Sequence, residues 1–450
     1  MKATNAQTNK HYLIVGLGLT GLSCARFCKR NNLTFSLCDT RKELSNIESI
    51  NKEFPDHQVT LGDLSVEFLT QFDELLVSPG VSIHTPELLA AANAGVTISG
   101  DIQLFSEHCR KPVIAITGSN GKSTVTTLVE FLLQESGIKA LAGGNLGTPA
   151  LDLLAFTAEV DCFVLELSSF QLETTSTLNA DVVTILNISP DHMDRYDDLG
   201  GYIAAKQRIF IGAKHIVVNK DDQQTYPLNQ QDNSSSFAIK ATADFALKQT
   251  AAGYWLMHGE TKLIEANRLS IRGSHNIANV LAALAMIKAF GIELSSVIDS
   301  LPNFKGLSHR CEWIAKINDV EFFNDSKGTN VGSTIAAVEG LTSVSKGQLW
   351  LLAGGESKGQ DFSDLAKACQ SAKVAGVMTY GKDRNKLNDA LQVATDVMSV
   401  ETLSEALALA VQHARSGDQI LLSPACASFD QFKNYQDRGQ FFCDCVEALK

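Results

Sequence analysis

Short apolar runs that stop abruptly at glycine, acid or hydroxyl residues recur along this chain. HYLIVGLG (residues 11–18) reads as a buried strand entering a glycine turn. FSLCDT (35–40) reads as a second strand ending in an acid, and DELLVSPG (73–80) as a third ending in a turn. Strands that alternate with helical segments predict parallel sheets with their functional loops at the strand carboxyl ends. A second block opens at KPVIAITGSNGKST (111–124), where strand VIAIT leads into a loop and the helix TVTTLVEFLLQESG (124–137). DCFVLELSS (161–169) and ADVVTILNISPDH (180–192) follow as strands with polar ends. Residues 220–270, with QQDNSSS, read as a polar, strand-poor insertion or edge region. RGSHNIANVLAALAMIKAFG (272–291) reads as a strong helix ended by Gly291. A third block carries GQLWLLAGGESKGQDF, KVAGVMTYG and GDQILLSPACASFDQF, again strands with loops at their ends.

The pattern predicts an α/β chain of three domains, 1–100, 101–307 and 308–450. Length agrees, because 450 residues exceed the ~250–300 that one core serves. A hydrophobic share of 44% and a charged share of 20% are ordinary for a globular protein. The polar start MKATNAQTNK predicts no signal peptide, and the longest apolar run, VLAALAMI, is far shorter than a membrane span. A net charge of −12 argues against nucleic acid as a partner. The ten cysteines show no C-x-x-C pair and no zinc spacing, which predicts buried thiols in a reducing cytoplasm.

Two loops carry nucleotide chemistry. GLGLTG (16–21) lies between strand and helix, and Asp39 stands 18 residues beyond Gly21 at the end of the second strand. In a dinucleotide site such glycines admit a pyrophosphate and the acid holds ribose hydroxyls. The residues define a pyrophosphate-bearing nucleotide, NAD being one case; a tight turn without ligand is the alternative. TGSNGKST (117–124) also joins strand to helix. Gly118 and Gly121 let the loop curl, Lys122 can reach the β/γ-phosphates, and Ser123 or Thr124 can ligate magnesium. Ile116 stands where the common phosphate loop has its first glycine, and it removes none of the charge-binding parts. ATP is therefore expected at the second loop.

Other polar residues end strands nearby. Glu166 can hold magnesium beside the loop, or cap a helix. DHMDRY brings Asp191, His192, Asp194 and Arg195 after another strand. Lys206 shares a helical face with Ile203 and Phe210, where its amine must find a partner or lose its proton; a lysine snorkelling at the core edge is the blander reading. NDSKGTN, GGESKGQDF and SPACASFDQFKNYQDRG bring Lys327, Lys358 and several hydroxyls to one sheet edge, as an acidic small molecule requires and as solvated loops also would.

The ordered set GLGLTG, SPG (78–80), TGSNGKST, GGNLG (143–147), ELSSFQLE (166–173), SPDHMDRY (189–196), AAKQRIF, SHNIANVLAA, HR (309–310), NDSKGTN and SPACASFDQF closely resembles the bacterial Mur ligases, over nearly the whole chain. The GLGLTG start and the SPACASFDQF end point to the D-glutamate-adding branch. The resemblance implies Rossmann-like outer domains around a P-loop ATPase-like centre, and ATP-driven amide formation through an acyl phosphate, in peptidoglycan precursor synthesis. It places a UDP-sugar, UDP-N-acetylmuramoyl-L-alanine, at Leu19, Thr20, Asp39, Thr40, Arg41, Ser78, Pro79, Gly80, Asn145 and His192. ATP falls to Gly118, Ser119, Asn120, Gly121, Lys122, Ser123, Thr124, Asn276, Asn279, Arg310 and Asp325. D-glutamate falls to Thr329, Lys358, Ser428 and Tyr435, where the family more often has Phe at the last position. Two magnesium ions are implied at Ser123, Glu166, His192 and a carbamylated Lys206, with Lys122, Glu166, His192 and Lys206 carrying the chemistry. The expected protein is a cytoplasmic monomer that engages no nucleic acid and no membrane.

Overall fold

The computed structural model describes residues 10–193, 195–229, 233–251, 253–342 and 347–450. Three sheets build an α/β chain. The first holds β1 His11–Val15, β2 Thr34–Asp39, β3 Val59–Leu61, β4 Glu74–Val77 and β5 Thr97–Ser99, in the order β3-β2-β1-β4-β5, all parallel. β3 and β5 were not legible as apolar runs. Each has three residues and stands at an edge, largely half-exposed, so neither needs one.

The second sheet holds β6 Val113–Thr117, β7 Ala140–Gly144, β8 Cys162–Glu166, β9 Val182–Ile185, β10 His215–Asn219, β11 Ser234–Ala238, β12 Phe245–Thr250, β13 Gly253–His258 and β14 Thr261–Glu265. Its order is β14-β13-β12-β11-β10-β9-β6-β8-β7, parallel except for the two pairs β12–β13 and β13–β14. Residues 220–270 are thus not strand-poor: four strands extend the sheet to its edge. Each buries only a short stretch, in which Phe237, Phe245, Leu256 and Ile264 pack with the helix Ser274–Ala289, and exposes polar residues elsewhere. Strands buried over only two or three residues give no continuous apolar run.

The third sheet holds β15 Glu312–Ile317, β16 Val320–Asn324, β17 Leu349–Gly354, β18 Gly376–Tyr380, β19 Val397–Ser399 and β20 Gln419–Leu422, ordered β15-β16-β20-β17-β18-β19, with β15 antiparallel to β16 and the rest parallel. The ten cysteines are free thiols, and among the described residues no helix is long and apolar enough to cross a membrane.

Candidate active site

Each sheet delivers its loops where its strand order reverses, the place an open parallel sheet offers a crevice. In the first sheet this lies between β1 and β4. The GLGLTG loop leaves β1 and the SPG turn leaves β4, and the buried Ser78 hydroxyl ties them by donating to Gly16 O at 2.6 Å. A Cβ on Gly21 would fall 1.9 Å from Gly16 O, so only glycine lets the helix Leu19–Arg30 begin this close to the turn. Leu19 stands 77% exposed at that edge. Asp39 ends β2 and is buried. Its two oxygens accept from Leu17 N at 2.7 Å, Arg41 N at 2.9 Å, and Arg41 Nε and Nη2 at 2.8 Å each. Burial alone would raise its pKa, but the Arg41 fork and the amides outweigh it and hold the group at about 2. Four donors fill a carboxylate's four lone-pair directions. Asp39 therefore presents Arg41 and the glycine turn rather than a free oxygen for a ribose hydroxyl.

The central loop leaves β6 and opens the helix Lys122–Glu135. Gly121 has φ +82°, and a Cβ there would meet Asn279 Oδ1 at 2.5 Å. Asn279 donates to Asn276 at 3.1 Å, and both are buried in the first turns of the helix Ser274–Ala289, against the loop. The loop is clamped from β9: Asn187 Oδ1 accepts Asn120 N at 2.8 Å while Asn187 Nδ2 donates to Asn120 O at 3.0 Å. Ser119 Oγ donates to Ser189 O at 2.9 Å and meets the Tyr202 hydroxyl at 3.0 Å. Asn187 and Tyr202 were missed by the sequence reading, because neither residue type marks a phosphate loop.

Around this loop the chemistry converges. The Ser123 hydroxyl donates to Glu166 Oε2 and accepts from Arg310 Nη2 at 2.8 Å, and Asn145 Nδ2 donates to Glu166 Oε1 at 2.8 Å. Glu166 ends β8, in register with Ile116. It caps no helix: Ser168 is the cap of Ser169–Glu173, in a capping box with Gln171. Lys122 Nζ donates to Gly118 O at 2.8 Å and Ser119 O at 3.0 Å. Lys206 does not snorkel. It is 1% exposed, and its amine donates to Gly118 O at 2.9 Å and Thr117 Oγ1 at 3.3 Å. Burial, then the nearby Lys122 cation, push its pKa well below the usual lysine range.

Ser123 and Glu166 offer hard oxygens to a magnesium ion, which ordinarily completes its octahedron with phosphate oxygens and water. Among the described residues no three His, Cys, Asp or Glu side chains gather to hold an ion. His192 lies on the exposed side, φ +56°, its ring edge-on to Phe170 at 4.9 Å and its Nε2 3.7 Å from Asp191. The structure thus brings Ser123 and Glu166 together, with Lys206 beside the same loop, and leaves His192 outside the hydrogen-bonded cluster. Asp194 lies outside the described residues.

The third sheet closes over the loop. Ser333, in the first turn of the helix Val331–Thr342, donates to Asn120 Oδ1 at 2.7 Å. Asp325 is buried, accepts from Ser423 Oγ at 2.7 Å and Cys311 N at 3.1 Å, and is raised by burial to about 7. Lys327 lies 4.2 Å over the Tyr435 ring, and burial followed by the Arg310 charge lowers it to about 8. Lys358, φ +50°, stands 5.2 Å over Phe429. Thr329 and the buried Ser428 border the same loops. Arg438, fully buried and unnoticed in the sequence, bonds Ser326 Oγ and O, Cys426 O and Gly354 O, and so clasps the loops after β16, β17 and β20 together.

Fold and site define a P-loop protein of three α/β units. Family profiles agree with this along the chain: the Mur ligase MurD-like, N-terminal domain matches residues 10–100, the Mur ligase middle domain 116–287, and the Mur ligase, glutamate ligase domain 309–426. The chain belongs to the Mur ligase family. It is 46% identical to the UDP-N-acetylmuramoylalanine–D-glutamate ligase of Pseudomonas aeruginosa, across 97% of this chain and 98% of that one. Its fold is also that of a pseudomurein peptide ligase type C from Methanothermus fervidus, with TM-score 0.59, 20% identity and coverage of 98% and 100%. A UDP-N-acetylmuramate-alanine ligase from Thermotoga maritima superposes equally, with TM-score 0.59, 19% identity and the same coverage.

Proposed function

We propose that this protein is an ATP-dependent, ADP-forming ligase that adds D-glutamate to UDP-N-acetylmuramoyl-L-alanine, a step of cytoplasmic peptidoglycan precursor synthesis carried out by a monomer. The observation that carries the reading is the convergence of loops from the second and third sheets on Ser123, where Glu166 and Arg310 meet the same hydroxyl. We assign the UDP-sugar to residues 1–100, ATP to 101–307 and the amino acid to 308–450. This division supplies three substrates to one junction and turns a three-body encounter into positioning.

The alanine carboxylate attacks the γ-phosphorus of ATP. A bond from carboxylate oxygen to phosphorus forms, the bond to the β–γ bridging oxygen breaks, and ADP departs. The D-glutamate amine then attacks the acyl carbon, phosphate leaves, and the nitrogen gives up a proton. Carboxylate and triphosphate repel, so cations must be in place first. Lys122 and Arg310 supply them from the loop and from the third sheet. Asn276 and Asn279 back the loop from the adenosine side, with Asp325 as a further ATP contact. Ser123 and Glu166 would hold magnesium, which would further neutralise the phosphate oxygens. Thr329, Lys358, Ser428 and Tyr435 receive the D-glutamate carboxylates.

Lys206 has its own role in this reading. Its amine shares the Gly118 carbonyl with Lys122, so two ammonium groups there oppose each other. Carbon dioxide added to the neutral amine, with loss of a proton, gives a carbamate. That anion would relieve the repulsion and would offer magnesium the oxygens it prefers, with His192 as the nitrogen ligand that the resemblance implies. The test is phosphate release with UDP-N-acetylmuramoyl-L-alanine, ATP, magnesium and D-glutamate, each omitted in turn. Release without D-glutamate dependence would overturn the ligase reading. Lys206→Ala is expected to be nearly inactive and partly rescued by acetate, whereas Lys206→Arg is not rescued. Equal behaviour of the two variants defeats the carbamate and leaves the ligase standing.

A further inference from the structure

The loop after β9 carries a cation to which the proposed chemistry gives no duty. Arg195 stands three positions beyond His192. Its guanidinium carbon lies 4.3 Å from the centroid of the Phe170 ring, and one N–H points to Pro79 O at 3.5 Å. Phe170 belongs to the helix Ser169–Glu173, whose start the Ser168–Gln171 capping box fixes to the second sheet. Pro79 belongs to the SPG turn of the first sheet. Arg195 therefore reaches across the seam between the two sheets, its face on one unit and its edge at the other. His192 and Tyr196 pack on the same Phe170 ring, at 4.9 Å and 5.9 Å.

A guanidinium presents five N–H donors in its plane, and stacking engages its face while leaving that edge available. The contact to Pro79 O is long and uses one donor. Among the described residues Arg195 makes no ion pair. The contrast with Arg41 is direct, because Asp39 holds that fork on two sides. A half-buried, oriented and uncompensated arginine beside a glycine turn is an anion receptor by chemistry.

We propose that Arg195 binds the diphosphate of the nucleotide-sugar substrate from the second-sheet side, opposite the SPG turn. The inference rests on the reading that the first sheet takes a UDP-sugar. The glycine turn and the start of the helix Leu19–Arg30 offer amide dipoles to a diphosphate, and Arg195 adds a full charge with a planar, two-donor edge. The same contact ties nucleotide binding to the loop that bears His192, so a substrate held at the first sheet also steadies the entrance to the reaction centre.

Calorimetric titration of the full chain with UDP-N-acetylmuramoyl-L-alanine, UDP and uridine tests this. Arg195→Ala is expected to weaken UDP and the UDP-sugar by roughly ten- to a hundredfold, the usual worth of a charge-assisted contact, and to leave uridine unchanged. Arg195→Lys should recover only part, because an ammonium lacks the planar edge. Phe170→Leu should shift UDP binding in the same direction by less, since it removes the platform and keeps the cation. Thermal unfolding of each variant reports whether the fold is intact. Wild-type affinity for UDP in Arg195→Ala overturns the proposal, as does an equal loss for UDP and uridine, which marks a purely structural arginine. Failure of the wild type to bind the UDP-sugar overturns instead the reading of the first sheet.

Discussion

The second sheet meets its two neighbours in opposite ways. Toward the first sheet it shares one apolar core: Tyr12, Ile14, Phe27, Phe105, Leu151, Phe163, Leu165 and Tyr202 belong to a single buried cluster. Arg26 and Arg30 add ion pairs to Asp152 at its margin, at 3.0 and 3.5 Å. Toward the third sheet the contacts are polar and few in kind. Ser333 meets Asn120, Arg310 meets Ser123, and His275 packs against the helix Val331–Thr342, where a Cβ on Gly340 would lie 2.2 Å from its Nδ1. The third sheet keeps its own apolar clusters, within residues 311–446. An apolar seam is stable and indifferent to ligand; a polar seam made of the phosphate loop itself is readily remade when phosphates arrive. The difference separates a unit joined to the second sheet by a common apolar core from one joined to it by hydrogen bonds at the phosphate loop.

Breaking the apolar seam should have the largest effect. Phe105 is fully buried and meets Phe163 edge to face at 5.6 Å. Phe105→Ala is expected to destabilise by about 3–5 kcal/mol. Calorimetry should show the transition of the first two sheets moving together while that of the third stays in place. A third-sheet transition that moves equally would erase the distinction.

The polar seam should respond to pH. Burial lowers His275 from 6.5 to about 4. A histidine held neutral in the fold stabilises fully above its unfolded value, and that contribution is lost as pH falls from 6.5 through 4. The total is about 3 kcal/mol. Limited proteolysis between pH 7.5 and 4.5 should find the third sheet released at the acid end in the wild type. His275→Asn should show a flatter profile; an unchanged profile assigns the effect elsewhere.

Ser333→Ala should produce the smallest change. It removes one hydrogen bond across the seam, worth about 0.5–1.5 kcal/mol. ATP-dependent turnover should fall severalfold while the affinity for the UDP-sugar and the melting temperature hold. Loss of UDP-sugar binding would show that the two seams are not independent.

The sequence by itself settled much of this. Long apolar strands such as VIAIT and the loops that end them were legible, because burial on both faces forces a continuous run and because phosphate chemistry demands glycine, lysine and hydroxyl at fixed spacing. Glu166 beside Ser123 was foreseen for the same reason: Glu166 ends β8, and Ser123 follows the loop that leaves the neighbouring strand β6. Strands buried only in part, such as Phe245–Thr250, were not legible, since their exposed polar ends mimic a loop. Nor were the residues that act through geometry alone. Asn187 imitates backbone, Arg438 bonds only carbonyls and a hydroxyl, and Arg195 matters for what it lies across. Which sheets share a core, and which merely touch, depends on contacts between residues far apart in the chain. Local pattern records the period of an element and the chemistry of its loop; partners across a seam are decided only when the sheets pack.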